Sequence, residues 1–104
     1  MSLVDDVYIL TSKLPVFEQY ALSSQMRRSV VSIPSNIAEG QGRQTNKEFI
    51  NFLYIANGSR CELETQLSIA VRQNYITKEQ AKPVYTECQE IGKMLTKLIQ
   101  SLCE

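Results

Sequence analysis

The last quarter of this chain leaves little freedom of fold. After Thr77 the apolar residues fall at Ala81, Val84, Cys88, Ile91, Leu95, Leu98 and Leu102, spaced by threes and fours. That spacing keeps all seven on one stripe of a 3.6-residue helix, whereas a strand would scatter them over both faces. A seam of this kind is buried most readily against other helices, so the rest of the chain must supply them. Thr77-Lys78-Glu79-Gln80 has the form of a capping box, and Pro83 falls in the first turns, where a missing amide is tolerated. The spacing predicts a helix over about 77–103.

Three further helices are legible upstream. Leu3, Val7, Leu10 and Leu14 share a stripe, Ser2 and Asp5 have capping-box spacing, and Pro15 stops the run, giving a helix over about 2–13. The second covers about 23–40, with Leu22, Met26, Val30, Ile33 and Ile37 inward, Ser23 or Ser24 as its cap and Gly40 and Gly42 as its stop. Pro34 lies inside it and removes the bond to the Val30 carbonyl, which predicts a kink, with a break into two helices as the lesser alternative. Thr45-Asn46-Lys47-Glu48 reads as a full capping box opening a third helix over about 45–73. Asn57-Gly58 is turn-like, yet Phe49, Phe52, Leu53 and Ala56 before it and Leu63, Leu67 and Ala70 after it keep one phase, so the helix runs through. Interior glycine costs about 1 kcal/mol against alanine. Gly58 with Ser59, and Gly92 in the last helix, are therefore expected where another helix comes close.

Short connections between these helices imply antiparallel neighbours. The predicted fold is all-α, an antiparallel up-down four-helix bundle with a short first helix, and 104 residues make it one domain over 1–104. No apolar run nears the roughly 20 residues that span a bilayer, so no membrane is expected. Cys61, Cys88 and Cys103 lack metal-site spacing and read as reduced thiols of a cytoplasmic protein.

Apolar residues exceed what one bundle buries. Val4 and Tyr8 on the first helix, Ile50, Tyr54 and Cys61 on the third, and Ile99 on the fourth lie beside the main stripes. These are candidates for a self-association interface, because a small monomer rarely exposes so much.

Catalytic chemistry finds little material. With no histidine, the Ser-His-Asp and Cys-His arrangements are excluded, and there is no phosphate loop. No enzyme, no metal and no cofactor is expected. The one polar cluster is Arg27, Arg28, Asn36, Glu39, Arg43 and, on the third helix, Glu62. Residues 27–47 hold four cations against one acid; the remaining chain holds seven against ten, and the total is neutral. Arg27 and Arg43 stand at opposite ends of one helix, roughly 20–25 Å apart at 1.5 Å per residue, so only an oligomer could merge them into one basic face. Glu39, in the last turn, opposes the helix dipole and is expected in a buried ion pair with Arg43, Arg60 or an arginine of a neighbouring subunit.

The stretch Gln25-Met26-Arg27-Arg28-Ser29-Val30-Val31-Ser32-Ile33-Pro34-Ser35-Asn36-Ile37-Ala38-Glu39-Gly40, then Gly42-Arg43, resembles the signature of the bacterial four helix bundle protein family, also called the 23S ribosomal RNA intervening-sequence protein family. Leu14-Pro15, Glu48-Phe49, Phe52-Leu53, Gly58-Ser59, Glu62-Leu63 and Tyr75-Ile76 are similar too, so the likeness covers nearly the whole chain from Leu14 to Leu102. The resemblance implies an up-down bundle, a ring-like homopentamer in some members, and genes within intervening sequences of ribosomal RNA genes. A related accessory protein of diversity-generating retroelements is basic and binds nucleic acid; the neutral charge here departs from it. The resemblance also carries family positions onto Arg27, Arg28, Asn36, Glu39, Gly40, Arg43, Gly58, Ser59 and Glu62, and its usual first helix is longer. Two functions are thus expected: a non-enzymatic oligomeric scaffold with a weak protein or RNA partner, or a nucleic-acid binder whose basic residues are gathered by a ring oligomer.

Overall fold

In the computed structural model, which describes residues 2–103, four helices follow one another: α1 (Ser2–Thr11), α2 (Leu22–Gln41), α3 (Asn46–Arg72) and α4 (Lys78–Cys103). A single turn of 3-10 helix, Val16–Glu18, lies between α1 and α2. No strand occurs among the described residues. The particle measures 45 × 23 × 19 Å.

Antiparallel order follows from the cross-helix contacts. Ser32 of α2 meets Ser59 of α3, while Gly40, further along α2, meets Phe49 and Phe52, earlier on α3. Gln89 of α4 reaches Glu64 of α3, and Gly92 reaches Arg60. Ser2 at the start of α1 bonds Glu87, well along α4. Each neighbour therefore runs against the last, the up-down arrangement that short loops impose.

The helix ends follow their chemistry with corrections. Thr77 and Gln80 form a complete capping box: the Thr77 amide donates to Gln80 Oε1 at 2.9 Å and the Gln80 amide to Thr77 Oγ1 at 3.1 Å. At Thr45 only half of the expected box forms, the Glu48 amide donating to Thr45 Oγ1 at 3.2 Å. The Ser2 hydroxyl does not cap α1 but donates to Glu87 Oε2 at 3.4 Å. Neither Ser23 nor Ser24 caps α2, which starts one residue earlier, after Ala21. Ser23 is fully buried, and its hydroxyl donates to the Thr11 carbonyl at 3.2 Å, serving the end of α1 instead. α3 ends in a left-handed Asn74 (φ 62°), with Tyr75 donating to the Ala70 carbonyl and Asn74 to Val71, the asparagine form of the usual glycine stop.

α2 continues unbroken through Pro34, so the two-helix alternative is set aside, and α3 continues through Asn57-Gly58. Gly40 was expected as a stop. It is instead a buried residue inside α2, where a Cβ would stand 2.8 Å from both Phe49 and Phe52. Gly42 is the terminal glycine.

Core packing differs along the bundle. α1 is ten residues, about 15 Å of helix, against about 40 Å for the 27 of α3. Where α1 reaches, all four helices enclose Val7, Leu10, Met26, Val30, Leu63, Leu67 and Val84. Beyond it, the core shrinks to Leu53, Ala56, Leu95 and Ile99, with Ile37, Phe49, Ile50, Leu98 and Leu102 only half-buried around them.

Candidate functional site

The expected polar cluster does not assemble into one site. Its members separate into four groups, three on α2 or just beyond its end and the fourth, Glu62, on α3.

Arg27 is placed by α1. Its Nε donates to Thr11 Oγ1 at 2.8 Å, and its guanidinium carbon lies 4.8 Å from the centroid of the Tyr8 ring, a cation–π contact. Thr11 is fully buried, and its hydroxyl also reaches the Tyr8 carbonyl at 3.2 Å. Arg28, the next residue, points outward and is exposed. No carboxylate pairs with either arginine among the described residues.

Asn36 belongs to the α2–α3 contact. Its Nδ2 donates to the Ser32 carbonyl at 2.8 Å and to Ser32 Oγ at 2.9 Å, and Ser32 Oγ lies 2.8 Å from Ser59 Oγ. Ser59 is buried, as expected of a small residue at a close helix crossing. Its hydroxyl would be costly there without that partner.

Glu39 and Arg43 pair at 2.6 Å across one turn. Arg43 was among the expected partners, but the buried setting was not found: both side chains are about half exposed. Arg43 also lies 4.8 Å over the Phe52 ring. An exposed pair of this kind contributes little to stability. Glu62, on the outer face of α3, is exposed and makes no ion pair among the described residues.

The best-enclosed charged pair is one that sequence reasoning missed. Arg60 and Glu64 pair across a turn of α3 with side chains only 15% exposed. Arg60 Nε donates to Asn57 Oδ1 at 2.9 Å, and Gln89 of α4 donates to the other Glu64 oxygen at 2.9 Å. Gly92 makes room for the guanidinium: a Cβ there would stand 2.8 Å from the Arg60 guanidinium carbon. Gly92 was expected where another helix comes close; what lies against it is the Arg60 side chain. The signal was present in Asn57, Arg60 and Glu64 at helical spacing, opposite a glycine. Beneath the pair, burial first and the Glu64 charge second push the Cys88 thiol up to about 12, so it stays protonated.

The proposed interface residues separate. Tyr8, Tyr54 and Cys61 are exposed, whereas Val4 and Ile50 are half-buried against the core. Ile99 is a correction: it is only 9% exposed, inside the smaller core cluster, because α4 turns it towards Leu53 and Ala56. Gly58 is a second correction, since a Cβ there would meet nothing within 4 Å and no helix of the same chain approaches it. Around it the outer face of α3 presents Tyr54 at 59% and Ile55 at 51% exposure. Among the described residues no group of acids and cysteines could hold a metal ion, and no helix is long and apolar enough to cross a membrane.

Comparison with known proteins supports the fold. A family model described as "23S rRNA-intervening sequence protein" matches residues 1–97. A crystal structure of a protein of unknown function from the S23 ribosomal protein family of Bacteroides thetaiotaomicron is similar, with 35% sequence identity and a TM-score of 0.85. The match covers 94% of this chain and 92% of that one. Curated proteins yield no match.

Proposed function

Since the chain belongs to the 23S rRNA-intervening sequence protein family, we propose that it acts as a non-enzymatic, self-associating scaffold, a ring homopentamer that works in association with ribosomal RNA intervening sequences. The observation that carries the self-association is the bare glycine on the outside of α3. Gly58 sits mid-helix, where it costs about 1 kcal/mol against alanine, and nothing within its own chain uses the space its missing Cβ leaves. Tyr54, Ile55 and Cys61 surround that space with exposed apolar surface. A helix of a second copy fits there: it would bury the apolar rings and use the glycine for close approach. The scaffold reading is further supported by the polar groups themselves, since Asn36 is engaged by Ser32 of its own helix, and Arg60 and Glu64 by one another and by Asn57 and Gln89.

Sedimentation of the purified chain at micromolar concentration tests this. The expected result is an assembly larger than a monomer, shifted towards monomer by Gly58→Leu or Tyr54→Glu. A clean monomer would overturn the scaffold. The alternative, nucleic-acid binding by basic residues gathered in a ring, is favoured by Arg27 and Arg28, which no carboxylate neutralises, and weakened by Arg43, which Glu39 neutralises.

A further inference from the structure

The groove beside Arg27 differs from the rest of the surface. It has a volume of about 540 Å³ and runs between α1, the connection after it and the first half of α2. Tyr8, Tyr20, Ser24, Arg27, Arg28 and Val31 line it, with no Asp or Glu in its lining. Glu18, the nearest acid on the connection, is engaged elsewhere: it accepts a hydrogen bond from the Tyr75 hydroxyl at 2.8 Å.

Arg27 is held as a recognition group would be. Thr11 fixes its Nε, and the Tyr8 ring fixes one face. No described residue accepts from its two terminal nitrogens, so a flat pair of donors is left free at the groove with its orientation already set. Such a fork suits two oxygens of one phosphate, and an oriented arginine loses less freedom on binding than a loose one. Arg28 adds an unneutralised second charge. Tyr20 is 97% exposed, so its ring contributes nothing to the fold, while Tyr8 is 42% exposed and carries the arginine. An aromatic ring beside phosphate-binding arginines is the pairing by which single strands are held, base on ring and backbone on cation.

We propose that this groove binds a short single-stranded segment of nucleic acid, with a phosphate on the Arg27 fork, a neighbouring phosphate at Arg28 and a base stacked on Tyr20. An acidic peptide would use the arginines and leave the ring idle. A duplex would keep its bases stacked on one another and unavailable to Tyr20. The site is complete within one subunit, so it stands whether or not the chain self-associates.

Polarisation titration of the full chain with fluorescent octanucleotides, uridine RNA and thymidine DNA in parallel, tests the assignment. Binding of either strand at low salt is expected, the tighter arm identifying the sugar preferred. Affinity should fall with salt at about 0.7 log units per log unit for each phosphate neutralised. Tyr20→Ala should weaken binding about tenfold, within the range for loss of one base stack. Arg28→Gln should weaken it and flatten the salt slope, and Arg27→Lys should weaken it although the charge is kept. Tyr20 and Arg28 are exposed, so those two variants should keep the wild-type melting temperature. The proposal is overturned by absence of binding to both strands at low salt, by wild-type affinity in both Tyr20→Ala and Arg28→Gln, or by equal binding of a glutamate octapeptide. None of these outcomes bears on the sedimentation result, so the two readings fail separately.

Discussion

The two ends of this bundle are built from the same helices and packed to different standards. At the end that α1 reaches, fifteen residues form one buried cluster. At the far end, where α2 closes on α3 and α4 carries its last turns, four residues do so, and Ile37, Phe49, Ile50, Leu98 and Leu102 cover them only in part. The difference comes from one short helix. A three-helix cross-section encloses less volume than a four-helix one, so the stripe of α4 that is wholly inside near Val84 and Cys88 is half outside by Leu98 and Leu102. The better-packed end also holds the arginine groove. The looser end leaves Phe49, Ile50, Leu98 and Leu102 half-covered instead.

The largest test of this contrast is a pair of identical truncations. Leu67 is 1% exposed at the α1 end, and Leu67→Ala should cost about 2–5 kcal/mol of stability, the range for a buried leucine. Leu98 is half-buried at the far end, and Leu98→Ala should cost about 1 kcal/mol, since the methyls removed are already partly in water. Urea denaturation of both variants measures the gap. Equal costs would break the comparison and would mean that Leu98 is covered in solution by something other than its own chain.

Two glycines sharpen the same contrast at smaller scale. Gly40→Ala places a methyl 2.8 Å from the Phe49 ring and the Phe52 Cβ, so it should destabilise by about 1–3 kcal/mol. Gly58→Ala meets open space and should stabilise an isolated subunit by up to about 1 kcal/mol through helix propensity alone. Thermal melts at low and high protein concentration separate the terms. If Gly58→Ala gains stability at low concentration and loses it at high concentration, another copy packs on that glycine.

These two residues also show how far the sequence could be read. The helices were legible because apolar periodicity survives across a whole element, through Pro34 and Asn57-Gly58 alike. What a glycine does is a property of the neighbour it faces, and no periodicity encodes that: Gly40 looked like a stop and is a contact, while Gly58 looked like a contact and faces outward. The polar residues behave similarly. Ser23 carries the chemistry of a cap, but its position one residue inside α2 turns its hydroxyl to the Thr11 carbonyl. Arg27 was legible as a cation and not as an oriented one, because Thr11 and Tyr8 lie sixteen and nineteen residues away. Arg60 and Glu64 were passed over for Glu39 and Arg43, since a sequence does not show which i,i+4 pair a neighbouring helix covers.

The smallest expected effect concerns how α1 is held at the better-packed end. Ser2 and Asp6 of α1 face Glu87 of α4, with Glu90 close by on the same helix. Burial first, then the hydrogen bond and the charge of Asp6, raise the Glu87 carboxyl above its ordinary value, against a small opposing pull from the Ser2 hydroxyl. A raised acid binds more protons folded than unfolded, so its contribution to stability is greatest when it is protonated. That contribution is lost as pH rises from the ordinary carboxylate range through the raised value. Above that window two like charges face each other across the α1–α4 contact. The informative quantity is therefore the difference between wild type and Glu87→Gln. The variant should gain on wild type from about pH 4 to pH 7 in urea denaturation, and hydrogen exchange, corrected for the intrinsic pH effect, should place the gain in α1 amides. A difference flat with pH would mean that the Glu87 carboxyl is not raised in the folded chain. A gain spread evenly over α2 and α3 would mean that α1 unfolds only with the whole bundle, which would make the α1 end uniformly tight rather than tight at its core and loose along one seam.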